Sequence, residues 1–235
     1  TPLQRSTHLS KKYDCNVFLK REDLQVVRSY KLRGAYNMMS SLPKEQLERG
    51  VVCASAGNHA QGFAFSCKKL NAKGVVFMPT ITPNQKVKQT QMHGDGNVEI
   101  KLVGDTFDDC AIIAKKYTEE NGMVFIPPFD DHRIIEGQGT VGVEILEELN
   151  YIDFLFVPVG GGGLSAGVGS YFKTYSPKTK IIGLEPEGAP AMYEALKKGA
   201  PVTLDNIDRF VDGAAVKRVG DITFPICKEV LDDMH

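Results

Sequence analysis

The stretch Asp153-Phe154-Leu155-Phe156-Val157-Pro158-Val159-Gly160-Gly161-Gly162-Gly163-Leu164 joins two hydrophobic patterns. Its first half is a short apolar run of strand type; after it, Leu164, Val168 and Phe172 keep helical spacing. Four successive glycines fill the junction. Lacking Cβ, they permit positive φ and let a ligand reach the backbone N–H groups, which at a helix N-terminus form an anion site. The unit is strand, bare turn, helix.

The same alternation extends in both directions. Val17-Phe18-Leu19, Val51-Val52-Cys53-Ala54, Val75-Val76-Phe77-Met78, Val98–Leu102, Met123–Ile126, Phe154–Val157 and Ile181–Leu184 read as strands. Several are apolar almost throughout, as parallel strands buried on both faces are. Between them Ala60, Phe63, Ala64 and Cys67, then Phe107, Cys110, Ala111 and Ala114, then Val141, Ile145 and Leu149, keep helical spacing. Pro79, Pro83, Pro127-Pro128 and Pro177 break the elements. The class is α/β, with parallel-rich sheets flanked by helices, and ligands belong at the carboxyl ends of the strands.

The 235 residues suffice for one large or two modest domains. Lys+Arg 28 against Asp+Glu 29 leaves a net charge of -1, which points to neither nucleic acid nor an anionic membrane. Five dispersed cysteines without a Cys-x-x-Cys argue against a disulfide framework or zinc knuckle and fit a reducing cytoplasm. No apolar run nears the roughly 18 residues of a membrane helix. No histidine pair has metal spacing, so no metal is expected.

Two further segments supply chemistry. In Ser29-Tyr30-Lys31-Leu32-Arg33-Gly34-Ala35, Ser29 is placed to cap a helix opening at Tyr30-Lys31. A partly desolvated Lys31 at that helix start has its cationic form disfavoured, which frees the amine to add to an aldehyde. In Ser55-Ala56-Gly57-Asn58-His59-Ala60-Gln61-Gly62, a hydroxyl, an amide and open helix N–H groups fit a carboxylate, and His59 reads as a structural hydrogen-bonding residue. The glycine run itself admits two rivals. Gly161-x-Gly163-x-x-Ala166, with Glu185 ending the next strand, matches a dinucleotide fingerprint and an NAD-dependent oxidoreductase. Gly163-Leu164-Ser165-Ala166-Gly167 matches a nucleophile elbow, although three glycines separate it from the strand. A binding subunit that keeps the phosphate cradle without turnover is a third, non-enzymatic reading.

The lysine segment resembles that of fold-type II (tryptophan synthase β-like) pyridoxal-phosphate enzymes. Together with Ser55–Gly62, Gly137-Gln138-Gly139-Thr140, Gly160–Leu164 and Asp212-Gly213-Ala214-Ala215-Val216, it resembles the threonine dehydratase (threonine deaminase) family over nearly the whole chain. The resemblance implies pyridoxal 5'-phosphate bound to Lys31 as a Schiff base, with Lys31 also the general base. It implies Asn58 on the pyridine 3-hydroxyl, Gly160, Gly161, Gly162, Gly163 and Leu164 on the phosphate, and Ser55, Gly57, Asn58 and Ala60 around a substrate carboxylate. The implied reaction converts L-threonine to 2-oxobutanoate and ammonia, feeding isoleucine synthesis; serine dehydration and a catabolic threonine dehydratase are the alternatives. It further implies a cytoplasmic homodimer or homotetramer.

The larger, discontinuous domain is expected over 1–40 and 130–235, the smaller over 41–129. Tyr30 stands where the motif usually has Phe, and Ala191 stands where the related serine racemase cation site has Asp. The family's Ser or Cys opposite the pyridine nitrogen falls beyond position 235. With Thr1-Pro2-Leu3 at one end and Asp232-Asp233-Met234-His235 read as mid-helix at the other, the chain is expected to be a fragment.

Overall fold

The computed structural model describes residues 1–235. It opens with an antiparallel pair, β1 (Leu3–Arg5) and β2 (Phe18–Lys20), separated by α1 (Thr7–Tyr13). A 3-10 turn at Glu22–Leu24 leads to α2 (Lys31–Ser40) and α3 (Lys44–Arg49). Next come β3 (Val51–Ala54), α4 (Asn58–Leu70), β4 (Gly74–Met78), α5 (Asn84–Gly94), β5 (Val98–Leu102), α6 (Phe107–Glu120) and β6 (Val124–Phe125). The long α7 (His132–Glu148) precedes β7 (Phe154–Pro158), α8 (Gly163–Tyr175), β8 (Lys180–Leu184), α9 (Ala191–Lys198), α10 (Thr223–Val230) and β9 (Asp233–Met234).

Two sheets organise these elements. One is parallel in the order β5-β4-β3-β6, the other parallel in the order β7-β8-β9. The pleat sends Val51 and Cys53 of β3 to Ala60, Phe63 and Cys67 of α4, in a cluster that Met38, Met39 and Ile134 join. It sends Val52 and Ala54 the other way, to Cys110 and Ala114 of α6. In the second sheet Val157 and Ile181 pack under Val141 and Ile145 of α7 and Val168 and Phe172 of α8. The opposite cluster joins Val159 and Met234 to Met192 of α9 and Phe224 and Cys227 of α10. No helix is long and apolar enough to cross a membrane.

Three expectations need correction. Asp232–His235 do not continue a helix: α10 ends at Val230, Leu231 is extended, and Asp233–Met234 pair parallel with β8. The carboxylate of Asp232 makes this turn by accepting from the Ile181 amide (2.9 Å) and pairing with Lys173 (2.6 Å) and Lys180 (3.1 Å). The strand at 154–158 is not buried on both faces: Val157 packs into the core, whereas Phe154 and Phe156, on the other side of the pleat, join no core cluster and are 58% and 60% exposed. Ser29 does not cap α2: the flanking residue Tyr30 already has helical dihedrals, and the Ser29 hydroxyl is buried without a partner.

Candidate active site

The three segments meet at one cavity of about 540 Å³. Lys31 enters it from the start of α2, Ser55 to His59 from the β3–α4 turn, and Gly160 to Ser165 from the β7–α8 turn. Two of these turns are strand carboxyl ends, the third a helix start brought alongside by packing. At that contact Gly62 of α4 faces the backbone of α2, where a Cβ would lie 2.7 Å from the Leu32 nitrogen and 2.9 Å from the Lys31 carbonyl carbon. Only glycine permits this approach.

Lys31 points into the cavity, its Nζ donating to the Pro128 carbonyl oxygen at 2.8 Å. The Tyr30 and Phe129 rings stand 5.5 and 5.9 Å from the ammonium. No carboxylate pairs with it, and burial draws its pKa down to about 8. An amine in that state is partly neutral near physiological pH and therefore nucleophilic. Below it His59 is buried, its Nε2 at 2.9 Å from the Ile126 carbonyl oxygen. Burial, then the charge of Lys31, draws His59 down to about 3, so the ring stays neutral and structural.

The glycine turn is built for an anion. Gly162 has φ +93°, the left-handed region, and α8 begins at Gly163. The other glycines are needed for contact rather than dihedral freedom: a Cβ on Gly161 would enter the Phe129 ring, and one on Gly160 would lie 2.9 Å from the Ala214 carbonyl oxygen. The amides of Gly161, Gly162, Gly163 and Leu164 donate to no acceptor in the protein. Four clustered, unsatisfied donors at a helix N-terminus match the oxygens of a phosphate.

The first turn of α4 repeats the device. The amides of Asn58, His59 and Ala60 also lack acceptors, while the Ser55 hydroxyl accepts from the Gly57 amide at 3.2 Å and fixes the turn. A Cβ on Gly57 would meet nothing within 4 Å, so its absence widens the cavity. Asn58 is exposed to the cavity. Ala60 is not: its methyl lies in the core, and only its amide faces the turn. Sequence reading missed two cavity-lining residues: Pro128, which reads only as a break between elements, and Phe129.

The rival readings of the glycine turn lack geometry. Ser165 is fully buried and its hydroxyl donates to the Gly162 carbonyl at 3.1 Å, so it is no exposed nucleophile. Glu185 does not reach outward for a ribose. Its carboxylate accepts from the Met192 and Tyr193 amides (2.8 and 2.9 Å) at the start of α9, and burial raises it to about 7. The cavity lining also carries ion pairs between Lys86 and Asp212 (2.5 Å) and between Lys217 and Asp108 (3.8 Å).

A family model described as "Pyridoxal-phosphate dependent enzyme" matches residues 1–235. The chain belongs to this family. It is 58% identical over 235 residues to a biosynthetic L-threonine dehydratase of Halalkalibacterium halodurans, covering 100% of this chain and 57% of that protein. It is 58% identical over 239 residues to the corresponding dehydratase of Staphylococcus aureus, covering 99% of this chain and 56% of that one. The solved processed form of threonine deaminase isoform 2 from Solanum lycopersicum superposes with a TM-score of 0.96 at 49% identity, over 100% of this chain and 67% of that one. The chain thus spans a little over half the length of the curated relatives it matches. The fold is that of fold-type II pyridoxal-phosphate enzymes, and family membership sets the dinucleotide reading aside. The cavity fits that cofactor: a depressed lysine for its aldehyde, and unsatisfied amides for its phosphate.

Proposed function

We propose that the protein is a pyridoxal-phosphate-dependent lyase that deaminates L-threonine to 2-oxobutanoate and ammonia, in the service of isoleucine synthesis. The observation that carries the reading is the meeting of Lys31 with two sets of open amides in one cavity. Identity to biosynthetic threonine dehydratases over the whole chain supports the choice of substrate. Lys31 would hold the cofactor aldehyde, Asn58 its 3-hydroxyl, and Gly160 to Gly163 with Leu164 its phosphate. Ser55, Gly57, Asn58 and the Ala60 amide would take the substrate carboxylate.

When bound, the cofactor supplies an electron-withdrawing ring that makes the Cα proton of an attached amino acid removable. The protein's part is to move that proton. With a pKa near 8, Lys31 has a usable neutral fraction and is the base at Cα, aimed by the Pro128 carbonyl. The positive end of α4 holds the carboxylate and so presents Cα to Nζ. His59, neutral throughout, does not compete for the proton. Loss of the β-hydroxyl needs a proton at that oxygen, for which protonated Lys31 is placed in the same cavity.

We further propose a cytoplasmic homodimer or homotetramer, and two domains comprising 1–40 with 130–235 and 41–129. The central test is borohydride reduction of the pyridoxal-phosphate-treated protein followed by peptide mass mapping, alongside assay of oxo-acid release from threonine. Reduced cofactor on the Lys31 peptide is expected. Labelling of another lysine, or no label, would overturn the assignment.

A further inference from the structure

Two residues beyond Lys31 lies a guanidinium that does not touch the cavity. Arg33 donates from Nε and Nη2 to both oxygens of Glu22 (3.0 and 2.8 Å) and from Nη1 and Nη2 to both oxygens of Glu144 (2.5 and 2.9 Å). Nη1 also reaches the Thr140 hydroxyl at 3.0 Å. Glu144 takes Lys20 as well, at 2.8 Å. Only 8% of the Arg33 side chain is exposed. One planar group thus ties the 3-10 turn, the first turn of α2 and the middle of α7 together.

Burying such a cluster is a poor route to stability. Desolvation of the ionised groups offsets much of their mutual attraction, and an apolar seam would do as well. The α2–α7 seam is already close: the Gln138 side chain accepts from the Gly34 amide at 3.2 Å, and a Cβ on Gly137 would lie 2.7 Å from the Arg33 carbonyl oxygen. What the forks add is direction. Bidentate pairs to two carboxylates fix the rotation of α2 about its axis, which a point charge does not. That rotation sets where the Lys31 side chain leaves the helix.

We propose that Arg33 is a positioning residue: through its forks on Glu22 and Glu144 it sets the orientation of the first turn of α2, and with it the aim of Lys31. The inference rests on the reading of Lys31 as the cofactor's attachment point and base. Arg33→Lys keeps the charge and loses the forks. In the full chain with cofactor it is expected to lower kcat by about 10- to 100-fold with KM within about threefold. Borohydride trapping at Lys31 is expected to slow, and the pH at which the Lys31–cofactor absorbance titrates to move. Glu22→Gln, which removes one fork's charge, is expected to change the same readouts in the same direction and stands in if Arg33→Lys does not fold. Asp232→Ala, outside the cavity, is the control: it lowers the unfolding temperature and leaves all three readouts alone. A folded Arg33→Lys or Glu22→Gln protein with only an Asp232→Ala-like loss of stability, and unchanged kcat, trapping rate and titration, would overturn the inference. Failure of the parent protein to trap at Lys31 would instead overturn the proposed function.

Discussion

Gly62→Ala separates stability from activity. The added Cβ would sit 2.7 Å from the Leu32 nitrogen and 2.9 Å from the Lys31 carbonyl carbon, both backbone atoms with no rotamer to yield. In α4 the alanine gains ~1 kcal/mol of helix propensity. Overpacking costs ~1–3 kcal/mol, so the net loss is ~0–2 kcal/mol and the protein stays folded. Relief to ordinary van der Waals contact requires α2 to withdraw by about 0.7 Å. The displaced segment is the backbone of Lys31 itself, and a shift of that size at a reacting group costs on the order of 10- to 100-fold. Initial rates of oxo-acid release over a range of threonine concentrations, with thermal unfolding on the same samples, measure both quantities. A lowered unfolding temperature with kcat/KM within about threefold of the parent would refute the claim that this contact aims Lys31.

Three other outcomes follow from the same geometry. Lys31→Met removes covalent attachment. It also stabilises the cofactor-free protein at neutral pH, by about 1–2 kcal/mol, because a buried ammonium is replaced by an apolar chain. Since the folded pKa of about 8 lies below the ordinary 10.5, the unfolded chain binds more protons between those values. Stability of the cofactor-free parent therefore rises with pH across that window, and denaturant titrations should show this slope missing in the variant. His59, at about 3 against 6.5, loses stability as pH falls between those values, and His59→Gln should flatten the acid limb in the same titrations. Asn58→Ala should raise the pyridoxal-phosphate concentration for half-saturation about 5- to 10-fold, read by absorbance, since one hydrogen bond is worth ~1–1.5 kcal/mol. Saturation unchanged within about twofold would remove Asn58 from the cofactor's surroundings.

Much of the architecture is local and therefore legible. Val51–Ala54 and Val98–Leu102 form strands with the bounds that their composition predicts. The stripe Ala60, Phe63, Ala64, Cys67 is the buried face of α4. Where pairing or crowding decides, reading along the chain fails. Leu3–Arg5 and Asp233–Met234 are strands because a partner lies alongside, not because of any run of their own. Gly160 and Gly161 read in sequence as glycines that permit positive φ and bare the backbone to a ligand, yet they are also glycine to admit the Ala214 carbonyl and the Phe129 ring.

The candidate site divides in the same way. Short motifs announce an amine, a phosphate turn and a carboxylate turn, because each needs residue types at fixed local spacing. Sequence by itself therefore determined the α/β class and the chemistry of the parts. Only the tertiary structure decided that Lys31 is held by Pro128, that Ala60 turns its methyl to the core, and that Arg33 is gripped by Glu22 and Glu144. Depressed basicity, unsatisfied amides and helix orientation depend on burial and on partners far along the chain, which no local pattern encodes.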